Sequence, residues 1–170
     1  PLDHEQCEPE FFHYPKASIP QLEISNEIKG ELLMGSYAGK ISPVKTLSPT
    51  LFLNLNCAKN TKHQFNFSEK EIGFLVVSGS AVINQEKLNA NDLIIFSDIS
   101  KIDFECSEDT VIAIFGGEPF PEPRYLWWNF VATDKALIRA AAEKWKNQTM
   151  DKIEGEVDFI PLPEIPLPQS

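Results

Sequence analysis

The stretch Thr61 to Gly79, TKHQFNFSEKEIGFLVVSG, holds the residues best placed to do chemistry: an imidazole at His63, a carboxylate at Glu71 and a glycine turn. Nitrogen and oxygen donors of this kind hold a non-haem metal ion when two histidines and a carboxylate converge. Side chains alternate along a strand, so two imidazoles spaced two residues apart would share one face. Here the residue two beyond His63 is Phe65, whose ring fills space and offers no lone pair. The later apolar run Leu93 to Phe96 brings no histidine either. A site of three histidines and one carboxylate would consume every histidine present, His4, His13 and His63. A site of two histidines and one carboxylate stays arithmetically open, but it needs His4 or His13 to travel in from the first few residues. The expectation is that this chain binds no metal or other cofactor by itself and carries no catalytic residue, with His63 and Glu71 the remaining metal candidates. The competing reading makes His63 an ordinary polar strand residue and Glu71 a solvated acid, since charged side chains are rarely buried.

Other chemistries find less support. No Ser-His-Asp order and no phosphate-type glycine loop is present. A cysteine-histidine nucleophile pair can be assembled only by free choice among Cys57, Cys106 and His63, so its spacing specifies nothing. The three cysteines are odd in number, far apart and without a CxxC, which reads as reduced thiols in a cytoplasmic protein. The net charge of −10 would repel a nucleic-acid backbone or an anionic membrane surface, and no apolar run approaches the roughly 20 residues that span a bilayer. The start at Pro1, with no signal-peptide pattern behind it, reads as a trimmed or partial chain.

The elements that must position these residues are mostly strands. Of 13 prolines none lies between Thr50 and Glu118, and a proline-free run is where central strands can sit. Within it Leu51, Leu53 and Leu55 alternate with Phe52, Asn54 and Asn56, a period of two with one face inward. Glu71 to Val77 and Ser80 to Ile83 flank Ser78-Gly79 and read as a hairpin. Leu93 to Phe96 and Thr110 to Phe115 are apolar on both faces and read as buried. Phe11 to Tyr14, Gln21 to Ile24 and Ile28 to Met34 read as earlier strands. Turn residues at 89–92, 98–100 and 107–109 separate the central ones. Many short strands at this spacing predict a sandwich or jelly-roll barrel. Beyond it, Thr133 or Asp134 can cap a helix over Lys135 to Lys146. Phe159 marks one more strand candidate before a proline-rich, extended tail.

Several segments, in order, resemble the C-terminal half of pirin proteins, bicupins built of two β-barrels. They are Ser42-Pro-Val-Lys-Thr-Leu-Ser-Pro-Thr before a leucine-rich strand, Glu71-Ile-Gly-Phe-Leu-Val-Val-Ser-Gly, and Leu88-Asn-Ala-Asn-Asp-Leu. Phe115-Gly-Gly-Glu-Pro-Phe-Pro-Glu-Pro and Trp128-Asn-Phe-Val complete the set, and the resemblance runs from about Glu8 to Leu162. It implies an all-β cupin jelly-roll barrel with one C-terminal α-helix. Residues 1–20 form a linker-like extension, 21–131 the barrel, 132–163 the helix and a closing strand, and 164–170 a proline-rich tail. It also implies that iron sits in an N-terminal barrel outside this sequence, held there by three histidines and a glutamate. Family members are described as quercetin 2,3-dioxygenases and some as transcriptional co-regulators; the residues carrying those activities are not in this chain.

The aromatic segment Arg124 to Val131 then stands out. Read as a strand, it turns Tyr125, Trp127 and Asn129 one way and Leu126, Trp128 and Phe130 the other. Tyr125, Trp127, Trp128 and Phe130 are candidates for an interface with an N-terminal cupin domain, a second copy of the chain or another protein. The alternative is that the helix covers them through Leu137 and Trp145.

Overall fold

The computed structural model of this chain describes residues 1–8, 10–151, 155 and 157–168. They divide into two units, residues 8–119 and residues 1–7 with 120–170.

The first unit carries twelve strands: β1 Gln21–Glu23, β2 Ile28–Met34, β3 Ser36–Tyr37, β4 Lys40–Ile41, β5 Thr50–Cys57, β6 Thr61–Asn66, β7 Glu71–Ser78, β8 Ser80–Ile83, β9 Glu86–Asn89, β10 Leu93–Ser97, β11 Lys101–Cys106 and β12 Thr110–Gly117. They form a six-stranded sheet in the order β1-β2-β5-β12-β7-β10 and a four-stranded sheet in the order β6-β11-β8-β9, with β3 and β4 as a separate small pair. All pairings within the two large sheets are antiparallel. The leucine alternation holds: Leu51, Leu53 and Leu55 are fully buried on the inner face of β5. They meet Ile112 and Ile114 of β12 and Ile72, Phe74 and Val76 of β7 in one core. From the four-stranded sheet Phe65, Ala81, Ile83, Leu88, Ile102 and Phe104 face the same core. This is a jelly-roll cupin architecture, built because period-two strands give each sheet one apolar face that must be covered.

Three sequence expectations need correction in this unit. Glu71 to Val77 and Ser80 to Ile83 are strands, but they do not pair with each other; β7 belongs to the six-stranded sheet and β8 to the four-stranded one. Gly79 between them turns the chain from sheet to sheet in the left-handed region, at φ +80°, where a Cβ would lie 2.6 Å from the Asp109 carbonyl oxygen. Leu93 to Phe96 is not buried on both faces. β10 is an edge strand, so Ile94 and Phe96 pack on the core while Leu93 and Ile95 stay 50% and 60% exposed. Phe11 to Tyr14 forms no strand. Phe12 and Tyr14 instead lie 6.4 Å apart, with the Lys45 ammonium over the Phe12 ring.

The second unit holds a two-stranded hairpin, β13 Tyr125–Trp127 with β14 Phe130–Ala132, and the helix α1 Lys135–Lys146. The helix falls on the expected residues because Asp134 caps it: its carboxylate accepts from the Ala136 N–H at 2.7 Å. Ile138 and Ala142 are buried against Trp127 and Ala132. Among the described residues Phe159 belongs to no strand; its ring stacks on Trp145 at 5.6 Å. The alternating prolines that follow cannot donate to a ladder, which explains the difference.

Candidate functional site

In the first unit the hollow between the two sheets is where converging donors would make a metal site, and it is filled by rings. Phe65 on β6 is fully buried and lies 5.8 Å from both Phe74 and Phe104, edge to face, and 5.9 Å from Phe67. Phe74 adds an edge-on contact with Phe67 at 5.9 Å and another with Phe96 at 6.2 Å. Pairs in this range are favourable beyond the area they bury.

His63 and Glu71 are not brought together. His63 shares the inward parity of Phe65, meets that ring edge-on at 4.7 Å and sits opposite Phe104 in the ladder. It is half-buried, and desolvation pushes its imidazole below the ordinary histidine range, which favours the neutral ring. Glu71 lies on the other sheet, is exposed, and shares outward parity with Gly73. His13 and His4 are exposed, and His4 pairs with Asp3 at 3.8 Å. Among the described residues no three histidine, cysteine, aspartate or glutamate side chains converge.

The outer face of the six-stranded sheet carries a feature the sequence reading passed over. Met34, Phe52, Phe115, Gly73 and Ile95 stand directly opposite one another in successive strands, a single apolar row crossing β2, β5, β12, β7 and β10. The groove along it encloses about 330 Å³ and is rimmed by Thr50, Glu71 and Glu118. Gly73 creates its floor: a Cβ there would stand 2.5 Å from the Phe115 ring, which lies across the glycine. The signal was present in the sequence as a glycine inside the apolar strand Glu71 to Val77.

In the second unit the aromatic segment is a hairpin rather than one strand. Trp128 turns at φ 51°, so the expected alternation breaks. Trp127 is buried, and Trp128 and Phe130 pack beside it on the cluster around α1. Trp128 meets Trp145 of the helix at 5.4 Å. Tyr125 lies on the rim with the Lys135 ammonium 5.2 Å from its ring centre, and Leu126 is 71% exposed. Glu5 bridges the hairpin end, accepting from the Thr133 N–H at 2.5 Å and from its hydroxyl at 2.7 Å. Those two bonds hold the Glu5 carboxyl below the usual carboxylate range.

A family model of the pirin C-terminal cupin domain matches residues 52–151. The chain belongs to this family. As a pirin domain it is 28% identical over 168 residues to a pirin-like protein of Caulobacter vibrioides, covering 96% of this chain and 57% of the relative. Pirin-1 of Arabidopsis thaliana is 23% identical over 155 residues, with 86% and 54% covered. The solved quercetin 2,3-dioxygenase of Acinetobacter baumannii superposes with a TM-score of 0.86 at 29% identity, covering 99% of this chain and 57% of that one. The chain spans about half the length of the curated relatives it matches. The iron implied by the pirin resemblance does not fit the donors of this domain: His63 faces phenyl rings, and Glu71 points out of the opposite sheet. No helix of the described residues is long and apolar enough to cross a membrane.

Proposed function

We propose that this pirin domain is a non-catalytic companion to a metal-binding cupin barrel, acting through its surfaces rather than its interior. The observation that carries the reading is Phe65, fully buried with three phenyl rings within 6 Å where a cupin cage needs a second imidazole. A wall of apolar side chains is what such a domain offers an interdomain cleft. The row Met34, Phe52, Phe115 and Ile95 supplies one on the outer sheet, and Glu71 and Glu118 give it a polar rim. Oxygenation of a flavonol, the activity named for the Acinetobacter baumannii relative, then belongs to the partner barrel, with this domain shaping the approach. The net charge of −10 favours protein partners over nucleic acid.

The test is a metal-loading experiment on the purified chain with Fe²⁺, Ni²⁺ and Zn²⁺, followed by oxygen uptake with quercetin. No metal retained after desalting and no uptake by the chain alone, with uptake once the N-terminal cupin half of a relative is supplied, is the expected result. One retained metal per chain overturns it.

A further inference from the structure

The second unit contains a recognition geometry that the companion reading does not use. Its last described segment reads Ile160-Pro-Leu-Pro-Glu-Ile-Pro-Leu-Pro168, so Ile-Pro-Leu-Pro occurs twice, five residues apart. Each proline fixes its own φ and pushes the preceding residue toward the extended polyproline region, so Ile160, Leu162, Ile165 and Leu167 are all biased that way. The two copies are buried alike. Leu162-Pro163 and Leu167-Pro168 are half-buried, whereas Ile160-Pro161 and Ile165-Pro166 face out, the isoleucines 66% and 51% exposed. Leu162 and Leu167 pack on the cluster of Trp127, Ala132, Ile138 and Ala142. Three side-chain donors then read the segment's carbonyls. Trp145 Nε1–H donates to Ile160 at 2.8 Å, Trp127 Nε1–H to Pro166 at 2.9 Å, and Arg139 to Pro168 at 3.0 Å.

Aromatic walls, indole N–H donors aimed at backbone carbonyls and slots for Leu-Pro pairs are the chemistry by which grooves take proline-rich peptides. We infer that this groove is a polyproline-recognition site, held in cis by residues 160–168 and open to a proline-rich segment of another polypeptide in trans. The groups it reads are main-chain carbonyls and Leu-Pro pairs, which an extended proline-rich strand carrying leucine presents. Both Leu-Pro pairs dock on the same cluster while the donors meet different positions of the two copies, so the site is matched to a segment long enough to fill both places. Two of the three donors are neutral indoles, whose net contribution is small, and the isoleucines of the strap remain outside the groove. A tether supplies a local concentration on the order of millimolar for a short linker, so a trans segment competes with the strap rather than meeting an empty site.

The probe is a labelled synthetic peptide of residues 158–168, titrated by fluorescence anisotropy into the full chain. The unsubstituted chain binds it weakly because of its own strap. The full-chain variant L162D/L167D, which weakens the strap without touching the groove, binds at least tenfold tighter. Adding Trp127→Phe or Trp145→Phe to that variant keeps a ring and removes one donor, weakening binding about two- to tenfold. A peptide with its four prolines replaced by alanine binds at least tenfold more weakly. Equal binding of the proline-free peptide, or no binding to L162D/L167D while its circular dichroism is that of the unsubstituted chain, overturns the inference. If L162D/L167D fails to fold, a nitroxide-tagged peptide at millimolar concentration decides the matter on the unsubstituted chain. Broadening of the Trp127 and Trp145 indole N–H signals supports the site, and unchanged indole signals show a permanent strap and overturn it.

Discussion

If the hollow of the sandwich is packed core and not ligand space, emptying it has a defined energetic cost, and Phe65→Ala is the substitution that measures it. Phe65 is fully buried, and three phenyl rings approach it within 6 Å on different sides. Removing a buried phenyl ring costs about 3–5 kcal/mol, the larger values belonging to sites whose walls cannot collapse. Two of the walls, Phe74 and Phe104, are rings held on the two hydrogen-bonded sheets, so the expected loss lies at the upper end, about 4–5 kcal/mol. That is a large share of the roughly 5–15 kcal/mol that stabilises a typical domain. It corresponds to a fall in melting temperature of about 10–15 °C for a chain of this size. Phe65→Leu, which refills most of the volume, should cost much less. The assay is urea denaturation followed by far-ultraviolet circular dichroism. Tryptophan emission is no substitute, because Trp127, Trp128 and Trp145 all lie in the second unit and report on that unit alone. A loss below about 1 kcal/mol for Phe65→Ala would mean that the ring is not close-packed. The hollow could then admit a ligand, and the argument for a non-catalytic interior would fall.

Further outcomes follow from other sites. Burial pushes the Cys57 thiol up to about 12, so in the folded chain a thiol reagent at pH 8 labels exposed Cys7 quickly while buried Cys57 and Cys106 wait for unfolding; fast labelling of all three would contradict this. Gly73→Ala forces the Phe115 ring aside and is expected to cost about 1–3 kcal/mol in urea denaturation while closing part of the outer groove. The Glu5 carboxyl is held below its unfolded value of 4.5, so its contribution is present above pH 4.5 and lost as pH falls through the lower folded value. Glu5→Gln should flatten that acid limb when tryptophan emission is followed. Desolvation lowers the His63 pKa below 6.5, so its ring signal should titrate below that value by NMR, and stability should fall as pH drops through the same range.

The parts of the fold legible in sequence were those where one physical rule acted alone. Leu51, Leu53 and Leu55 alternate without interruption, and the sheet follows. The capping aspartate and the amphipathic run after it place α1 on the expected residues. Failures came where pattern was asked to reveal partners. Periodicity makes β7 and β8 strands, but only the left-handed Gly79 and the crowding at Asp109 decide that the chain changes sheet there. Four apolar residues in β10 promise burial, yet an edge position leaves half of them outside. The hairpin escaped notice because Trp128 takes a positive φ without the glycine or asparagine that usually announces one. The shortage of histidine around His63 was legible at once, whereas the outer groove requires knowing that five strands place Met34, Phe52, Phe115, Gly73 and Ile95 in register.

Phe65→His alone does not make the interior a metal cage. Phe65→His would place two imidazoles on one face of β6, two residues apart, but a third donor is still required. Glu71 is no candidate, since it faces outward from the other sheet; Phe74, Phe104 and Ile102 offer no lone pair, and of the inward thiols Cys106 donates to the Ala58 carbonyl while burial holds Cys57 in its protonated form. The new imidazole would be buried among phenyl rings without a hydrogen-bond partner, at the cost that accompanies any unpaired buried polar group. The same period-two rule that places Phe65 inward on β6 sends Phe52, Glu71 and Phe115 to the outer surface of β5, β7 and β12. In this sandwich a stable core and an interior reactive centre compete for the same positions, and the core holds them.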